Sequence, residues 1–490
     1  MDDPGLPIKL GPVSNSEYDP PPTSEVVREA VKRARRMAEE NARRIGMDRR
    51  RFLLSSMGAA TTLYALAACS SDSKGKSSAK DDGGTYDIPP DAMVDPDVAL
   101  DTLGSDQPII DVQTHLLEYP NDYTGFHLGS IWQGAKDCGD KTLFECFNTE
   151  TWIEEVFGRS DTTVAVLSAL PTVGAFDPQG NIIDPLSAQV MDQGREQLTE
   201  LCGDGRVLVH GHAWVNVGEL QAAFAAMEEE LDRFPLIAWK TYTHVGDGFS
   251  FDDHMGLPIG EAYLSKVEEI GPPIVCVHKG FGSIGDAPFA DPADIGPAAK
   301  NHPDLTFVVY HSGFEPGIPE GPYDTAAPNG GVDRLIKTLE SNDIAAGGNV
   351  YAELGSTWKV AMGQPEAAAH ILGKLLKAVG EDRVVWGTDS IWYGSPQDQI
   401  QAFRSFKISE EFQETYGYPE LTDEIKHKIL WRNSAKLYDI DVARVPCELD
   451  AAGREEARMS SSLGNRTYGP QTATASRRQF MADHPWAFLR

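Results

Sequence analysis

Four short apolar runs along the chain each stop at a polar residue of the kind that does chemistry. Ile109-Ile110-Asp111-Val112 leads to Gln113 and His115, and Ile274-Val275-Cys276-Val277 leads to His278. Phe307-Val308-Val309-Tyr310 leads to His311, and Val384-Val385-Trp386-Gly387-Thr388 leads to Asp389. Side chains alternate along a strand, so Gln113 and His115 share one face. One histidine at a strand end is as well explained by core or turn packing. Four runs ending the same way are not, because a core needs no polar residue at one end only.

From residue 105 onward strands and helices alternate. Strands are predicted at about 108–115, 162–170, 206–214, 236–242, 273–278, 305–311, 349–355 and 383–388. Helical patterns lie between them, as in Leu220–Met227 and Ala367–Leu376. Eight such units predict an α/β fold, a closed (β/α)8 TIM barrel, with the site at the carboxyl ends of the strands. An open doubly wound sheet is the alternative. The chain has no Gly-x-Gly-x-x-Gly after the first strand, which argues against dinucleotide binding. The strand ends would present Gln113, His115, His210 or His212, Lys240, His278, His311 and Asp389.

The rest of the chain divides into flanks. Residues 1–46 are expected to be a disordered or charged-helix extension: 4–22 are rich in Pro and Ser, and 24–45 have little apolar face. A start at Met47 would leave this segment outside the natural reading frame. Residues 47–69 place Arg49-Arg50-Arg51-Phe52-Leu53 before a short apolar run and Leu66-Ala67-Ala68-Cys69. That order resembles a twin-arginine signal with a lipoprotein cleavage box. The apolar run is too short and too rich in Ser, Thr and Gly to span a membrane. Residues 70–104 follow as a linker, then the barrel at 105–442 and a C-terminal extension at 443–490. The expected location is the periplasm or cell surface, as an exported lipoprotein. The long connection from Leu116 to Asn148 and the segment Thr243–Pro258 are candidate binding loops or lids.

Composition narrows the partners. With 490 residues, 41% hydrophobic and 24% charged, the chain can bury a barrel-sized core. A formal net charge of -31 repels phosphate backbones, so nucleic acid is excluded as a partner. A small-molecule substrate is expected, with membrane contact only through a lipid anchor and homo-oligomerisation left open. Besides Cys69 there are five cysteines, and none forms a Cys-x-x-Cys zinc pattern. Cys138 and Cys146 could pair in an oxidising compartment, and Cys276 sits inside an apolar strand.

The order of these residues resembles the amidohydrolase superfamily. The match is to its amidohydrolase-related branch, which includes aminocarboxymuconate-semialdehyde decarboxylase. Trp386-Gly387-Thr388-Asp389-Ser390 is similar to the family's strand 8 motif. Asn433-Ser434-Ala435-Lys436-Leu437-Tyr438 resembles its terminal Asn-Ala-x-x-Leu-Tyr helix. The resemblance implies a metal-dependent enzyme. His115, His278 and Asp389 would be metal ligands, and His311 an acid/base or substrate-orienting group. Gln113 is the departure, since the family usually has His there and some decarboxylases have Glu. An amide oxygen is a weak ligand.

Neutral imidazoles with one carboxylate suit a single Zn²⁺, with Mn²⁺ as the alternative. Asp389 could take a proton from a metal-activated water while His311 serves the leaving group. Lys240 would clamp a substrate carboxylate, pair with a buried acid, or be a carboxylated bridging lysine. Trp358 and Trp392 would line an aromatic pocket or pack as ordinary loop residues. Three functions therefore stand. They are a hydrolase of a small amide, lactone or ester, a non-oxidative decarboxylase of an unsaturated or aromatic acid, and a metal-free binding lipoprotein.

Overall fold

A computed structural model describes residues 3–15, 17–72, 83–118, 141, 143–170, 184–213, 217–245, 247–282, 287–326, 330–445, 450–461 and 463–477. Strand β1 (Gly84–Tyr86) lies outside the main sheet. The main sheet comprises β2 (Ile110–Thr114), β3 (Val164–Leu167), β4 (Val207–His212), β5 (Leu236–Tyr242), β6 (Ile274–His278), β7 (Thr306–Tyr310), β8 (Val350–Glu353) and β9 (Val384–Val385). These eight follow one another in sequence order and every neighbour is parallel. Their apolar residues are almost wholly buried, as strands covered on both faces require. The sheet closes between β2 and the segment after β9. Val112 N donates to Trp386 O at 3.0 Å, Asp389 N to Gln113 O at 2.9 Å and His115 N to Ser390 O at 2.6 Å. Asp111 clamps the seam: its carboxylate accepts from Thr388 N at 3.0 Å and from the Thr388 hydroxyl. The expected TIM barrel is therefore present, and closure brings the ends of β2 and β9 side by side.

The flanks differ from expectation. Residues 4–22, read as a disordered tail, lie along the barrel with Leu6, Ile8, Leu10 and Val13 buried. The spacing of Leu6, Ile8 and Leu10 is the alternation of an extended chain, hidden between prolines and glycines. Lys9 Nζ pins this arm by donating to Tyr393 O at 2.7 Å and Ser395 O at 2.9 Å. Helix α1 (Glu25–Arg44) does have an inward face: Val27, Ala30, Ala34, Ala38 and Ala42 are all buried. Alanines at three- and four-residue spacing make a face that sums to little hydrophobicity yet allows close helix approach. It packs on α2 (Arg49–Leu54) and α3 (Ser56–Asp72), whose Phe52, Leu63 and Leu66 are also buried. The expected linker at 70–104 is only partly one. Within it β1 pairs antiparallel with β10 (Phe406–Ile408), and α4 (Pro96–Leu103) packs on α3.

The C-terminal extension also docks. Helix Ala451–Ser460 sends Arg458 and Arg454 to Asp161, at 2.8 and 3.1 Å, and Glu455 accepts from Ser56 N at 2.6 Å. Cys146 and Cys202 are disulfide-bonded, while Cys69 and Cys276 are free. Cys138, and most of the candidate lid between Leu116 and Asn148, fall outside the described residues. In the second candidate loop Phe249 and Phe251 are buried under the barrel helices. No described helix is long and apolar enough to cross a membrane.

Candidate metal centre and active site

Five barrel strands, β2, β6, β7, β8 and β9, bring polar residues from their carboxyl ends to one central volume. Gln113 is the penultimate residue of β2 with His115 just beyond the strand, His278 is the last residue of β6, and His311 follows β7. Asp389 comes four residues after the short β9, and Glu353 ends β8. Three of the residues here sit on left-handed backbone: His311 at φ 63°, Ser356 at φ 54° and Asp389 at φ 58°. Such conformations cost about 1–3 kcal/mol each for non-glycine residues and persist where surrounding bonds enforce them. His311 N is held by Glu353 Oε2 at 2.9 Å. Asp389 N is held by the seam bond to Gln113 O.

The hydrogen bonds fix which nitrogen of each imidazole carries its proton. A carbonyl only accepts, so the nitrogen facing one must be N–H. His115 Nδ1 donates to Ser168 O at 2.7 Å, and His311 Nδ1 to Gly355 O at 2.7 Å. His278 Nε2 donates to Gly280 O at 3.2 Å. The lone pairs of all three therefore point inward. His311 Nε2 and His278 Nδ1 face each other at 3.2 Å. His115 Nε2 lies 3.1 Å from Asp389 Oδ1. Gln113 Nε2 joins the halves, 3.1 Å from Asp389 Oδ1 and 3.5 Å from both His115 Nε2 and His311 Nε2. Two neutral imidazole lone pairs facing each other repel unless a cation lies between them. This donor set fits a divalent ion, and the backbone carbonyls behind it are the usual supports that orient metal-binding histidines.

Charge in the site follows from burial. Burial and the neighbouring His311 and His244 hold His278 well below its ordinary range, and burial brings His311 down to about 4. Both are thus neutral, as ligands must be. Burial would raise Asp389, but the groups around it, His115 first, then His311 and a hydrogen bond from Ser356, outweigh it and hold it low. Trp392 Nε1 donates to Asp389 Oδ1 at 3.2 Å and its ring stacks on His115. Burial pushes Glu353 up to about 8 and draws Lys240 down to about 8.

The other expected site residues separate. Lys240 Nζ is buried without a hydrogen-bond partner among the described residues, 3.6 Å from the Tyr310 ring centre and 4.5 Å from that of Tyr242. Among the described residues it pairs with no acid, whereas the buried Lys279 lies 2.8 Å from Asp294. Trp358 does not line the site: its ring packs on Phe403 and Phe406 and its Nε1 donates to Gln399 O at 2.9 Å. It begins a short helix behind β8, which turns the indole into the helix layer. His210 is a barrel-interior residue beside Ser168 and Cys276.

Several participants escaped the sequence pattern. Glu353 carries the same signal as the others, an apolar run stopping at an acid, and could have been found. Ser356 bonds Asp389 and lies 2.6 Å from Tyr393 OH. Asn15 and Glu17 arrive on the N-terminal arm. Asn15 Nδ2 donates to Asp389 Oδ2 at 3.0 Å and to Glu17 Oε2 at 2.6 Å. Glu17 Oε1 is 3.7 Å from His278 Nδ1. Ligand atoms of Glu17, His278 and His311 all lie within 4.8 Å of one another.

A family model described as amidohydrolase matches residues 110–440. No curated protein matches the chain. Among solved structures, an uncharacterised TIM-barrel protein from Bordetella bronchiseptica aligns at 15% identity over 69% of this chain and 100% of its own, with TM-score 0.43. 5-Carboxyvanillate decarboxylase from Sphingomonas paucimobilis aligns at 14% identity over 69% and 100%, with TM-score 0.43. 4-Oxalomesaconate hydratase from Rhodopseudomonas palustris aligns at 16% identity over 68% and 95%, with TM-score 0.40.

Proposed function

Because the chain belongs to the amidohydrolase family, we propose that it is a metal-dependent hydrolase of a small amide, lactone or ester. The observation that carries this reading is the inward aim of three imidazole lone pairs beside an ionised carboxylate. His115, His278 and Asp389 would hold one divalent ion, zinc by donor chemistry with manganese as the alternative. Such an ion supplies a Lewis acid and brings the pKa of water toward neutrality. Asp389, ionised and backed by Ser356 and Trp392, accepts the proton of the attacking water. His311 is neutral with Nε2 free of a proton, so it takes up a proton and passes it to the leaving group. Lys240 stands ready for a substrate carboxylate, since its ammonium has only aromatic faces for company.

Lys240 and Gln113 also favour a second reading, a carboxy-lyase. There an acid would hold its carboxylate toward Lys240, and a Glu-shaped amide would stand at the end of β2. The test is a panel of lactones, esters and aromatic acids with the metal-loaded full chain. Ring opening or ester cleavage without CO₂ release is the expected result. CO₂ release from the acids alone would replace the hydrolase with the lyase.

Export is a separate proposal, supported by Arg49-Arg50 followed by Phe52-Leu53, without cleavage at Cys69, because α1, α2 and α3 pack as part of the fold with Phe52 and Cys69 buried. The disulfides at Cys146 and Cys202 suit an oxidising compartment. An Arg49→Lys, Arg50→Lys double variant should remain in the cytosol, as fractionation and anti-tag blotting will show. Normal export of that variant would sink the idea.

A further inference from the structure

We propose that Glu17, carried in on the N-terminal arm, is itself a ligand to the divalent ion, supplying the carboxylate that β2 lacks at Gln113. The inference rests on the metal reading above. Glu17 Oε1 lies 3.7 Å from His278 Nδ1, on the side where that ring carries its lone pair. Glu17, His278 and His311 present ligand atoms within 4.8 Å of one another. This is the spread of donors around a common centre, and the three come from chain segments far apart in sequence.

The arm's placement is built rather than incidental. Leu6, Ile8, Leu10 and Val13 are buried, and Ser14 N donates to Pro470 O at 3.0 Å. Lys9 is anchored to two carbonyls and lies 3.6 Å from Asp398. Tyr18 bonds Val13 O and packs edge-on against Phe281, so the residue after Glu17 is fixed. Within the site, the single amide of Asn15 donates to both Glu17 and Asp389. A divalent cation between the two carboxyl groups would hold both of them ionised in this buried volume. Gln113 explains why the chain needs this. An amide oxygen contributes no charge to the donor set, and Glu17 restores the missing anion from the opposite side.

The experiment measures zinc affinity of the full chain by competition with a chromophoric chelator, together with the absorption spectrum of the Co²⁺-substituted protein. Glu17→Gln should weaken zinc binding by roughly 10- to 100-fold or more, the loss seen when even a supporting partner of a metal ligand is removed. The cobalt spectrum should change as one anionic donor is lost. Adding Gln113→Glu to Glu17→Gln should recover affinity, because it returns a carboxylate to the centre. A merely structural role for Glu17 would show no such rescue. Wild-type affinity and an unchanged cobalt spectrum in Glu17→Gln would overturn the assignment and leave the metal reading standing. Weakened binding that Gln113→Glu fails to restore would also count against it. A wild-type chain that binds neither ion would remove both readings at once.

Discussion

Replacing Asp389 by Asn is expected to lower turnover on the order of 10³-fold, the scale of a lost general base. Asp389→Ala should go further, releasing the metal as well. The two substitutions separate because Asp389 has two proposed duties. Asn keeps the shape and can still meet Trp392 Nε1 and Ser356, but cannot take a proton. Ala leaves Gln113 Nε2 and Asn15 Nδ2 without the carboxylate they donate to, and removes it from beside His115 Nε2. Neither change should unfold the barrel, since the seam at this point is made by backbone groups. His311→Ala should behave like the Asn variant, keeping metal and losing turnover. Circular dichroism and steady-state rates on the full chain distinguish these outcomes. A Asp389→Asn enzyme with near-normal rates would remove Asp389 from the proton transfer.

Asp161→Ala should be the most destabilising single change outside the core, costing about 3–5 kcal/mol, as when one partner of a buried ion pair is removed. Asp161 is 2% exposed and gathers three guanidinium groups, from Arg404, Arg454 and Arg458. Its loss would strand those charges among Glu455, Gln397 and the barrel wall. Burial would push its carboxyl up, but the charges of Arg458, Arg404 and Arg454 prevail and hold it far below the usual carboxylate range. A depressed folded-state pKa stabilises the fold above the unfolded value and loses that contribution as pH falls through the folded value. Wild-type stability should therefore decline below the ordinary aspartate range, while the variant, weaker at neutral pH, declines less from this source. Urea midpoints across pH measure both. An unchanged neutral midpoint in Asp161→Ala would show that the cluster holds nothing together.

The barrel and half of its site were legible because their signal is local. A run such as Val384-Val385-Trp386 ending in Thr388-Asp389 shows strand, burial and chemistry within a few residues. Glu353 has the same signature after Val350-Tyr351-Ala352 and is legible in the same way as Asp389. Asn15 and Glu17 carry no such mark. Their segment is polar and proline-rich, and its meaning lies in a contact with Asp389 made 374 residues away. The Asp161 cluster is equally silent, since it forms only when the helix Ala451–Ser460 docks on the barrel. Trp358 could line a pocket or pack as an ordinary loop residue by its place after β8, and the direction of the next helix settles it by turning the indole inward to Phe403. Sequence position gives the end of the barrel, not the side a turn will face.

The central claim is that His115, His278 and Asp389 hold one divalent ion in the buried volume that His311 also faces. Elemental analysis of the purified full chain, set beside His278→Ala and Asp389→Ala, tests it most directly. The account predicts close to one zinc or manganese per wild-type chain and little in either variant, with all three proteins folded. Full occupancy in both variants, or a wild-type chain that stays metal-free after reconstitution, would contradict it.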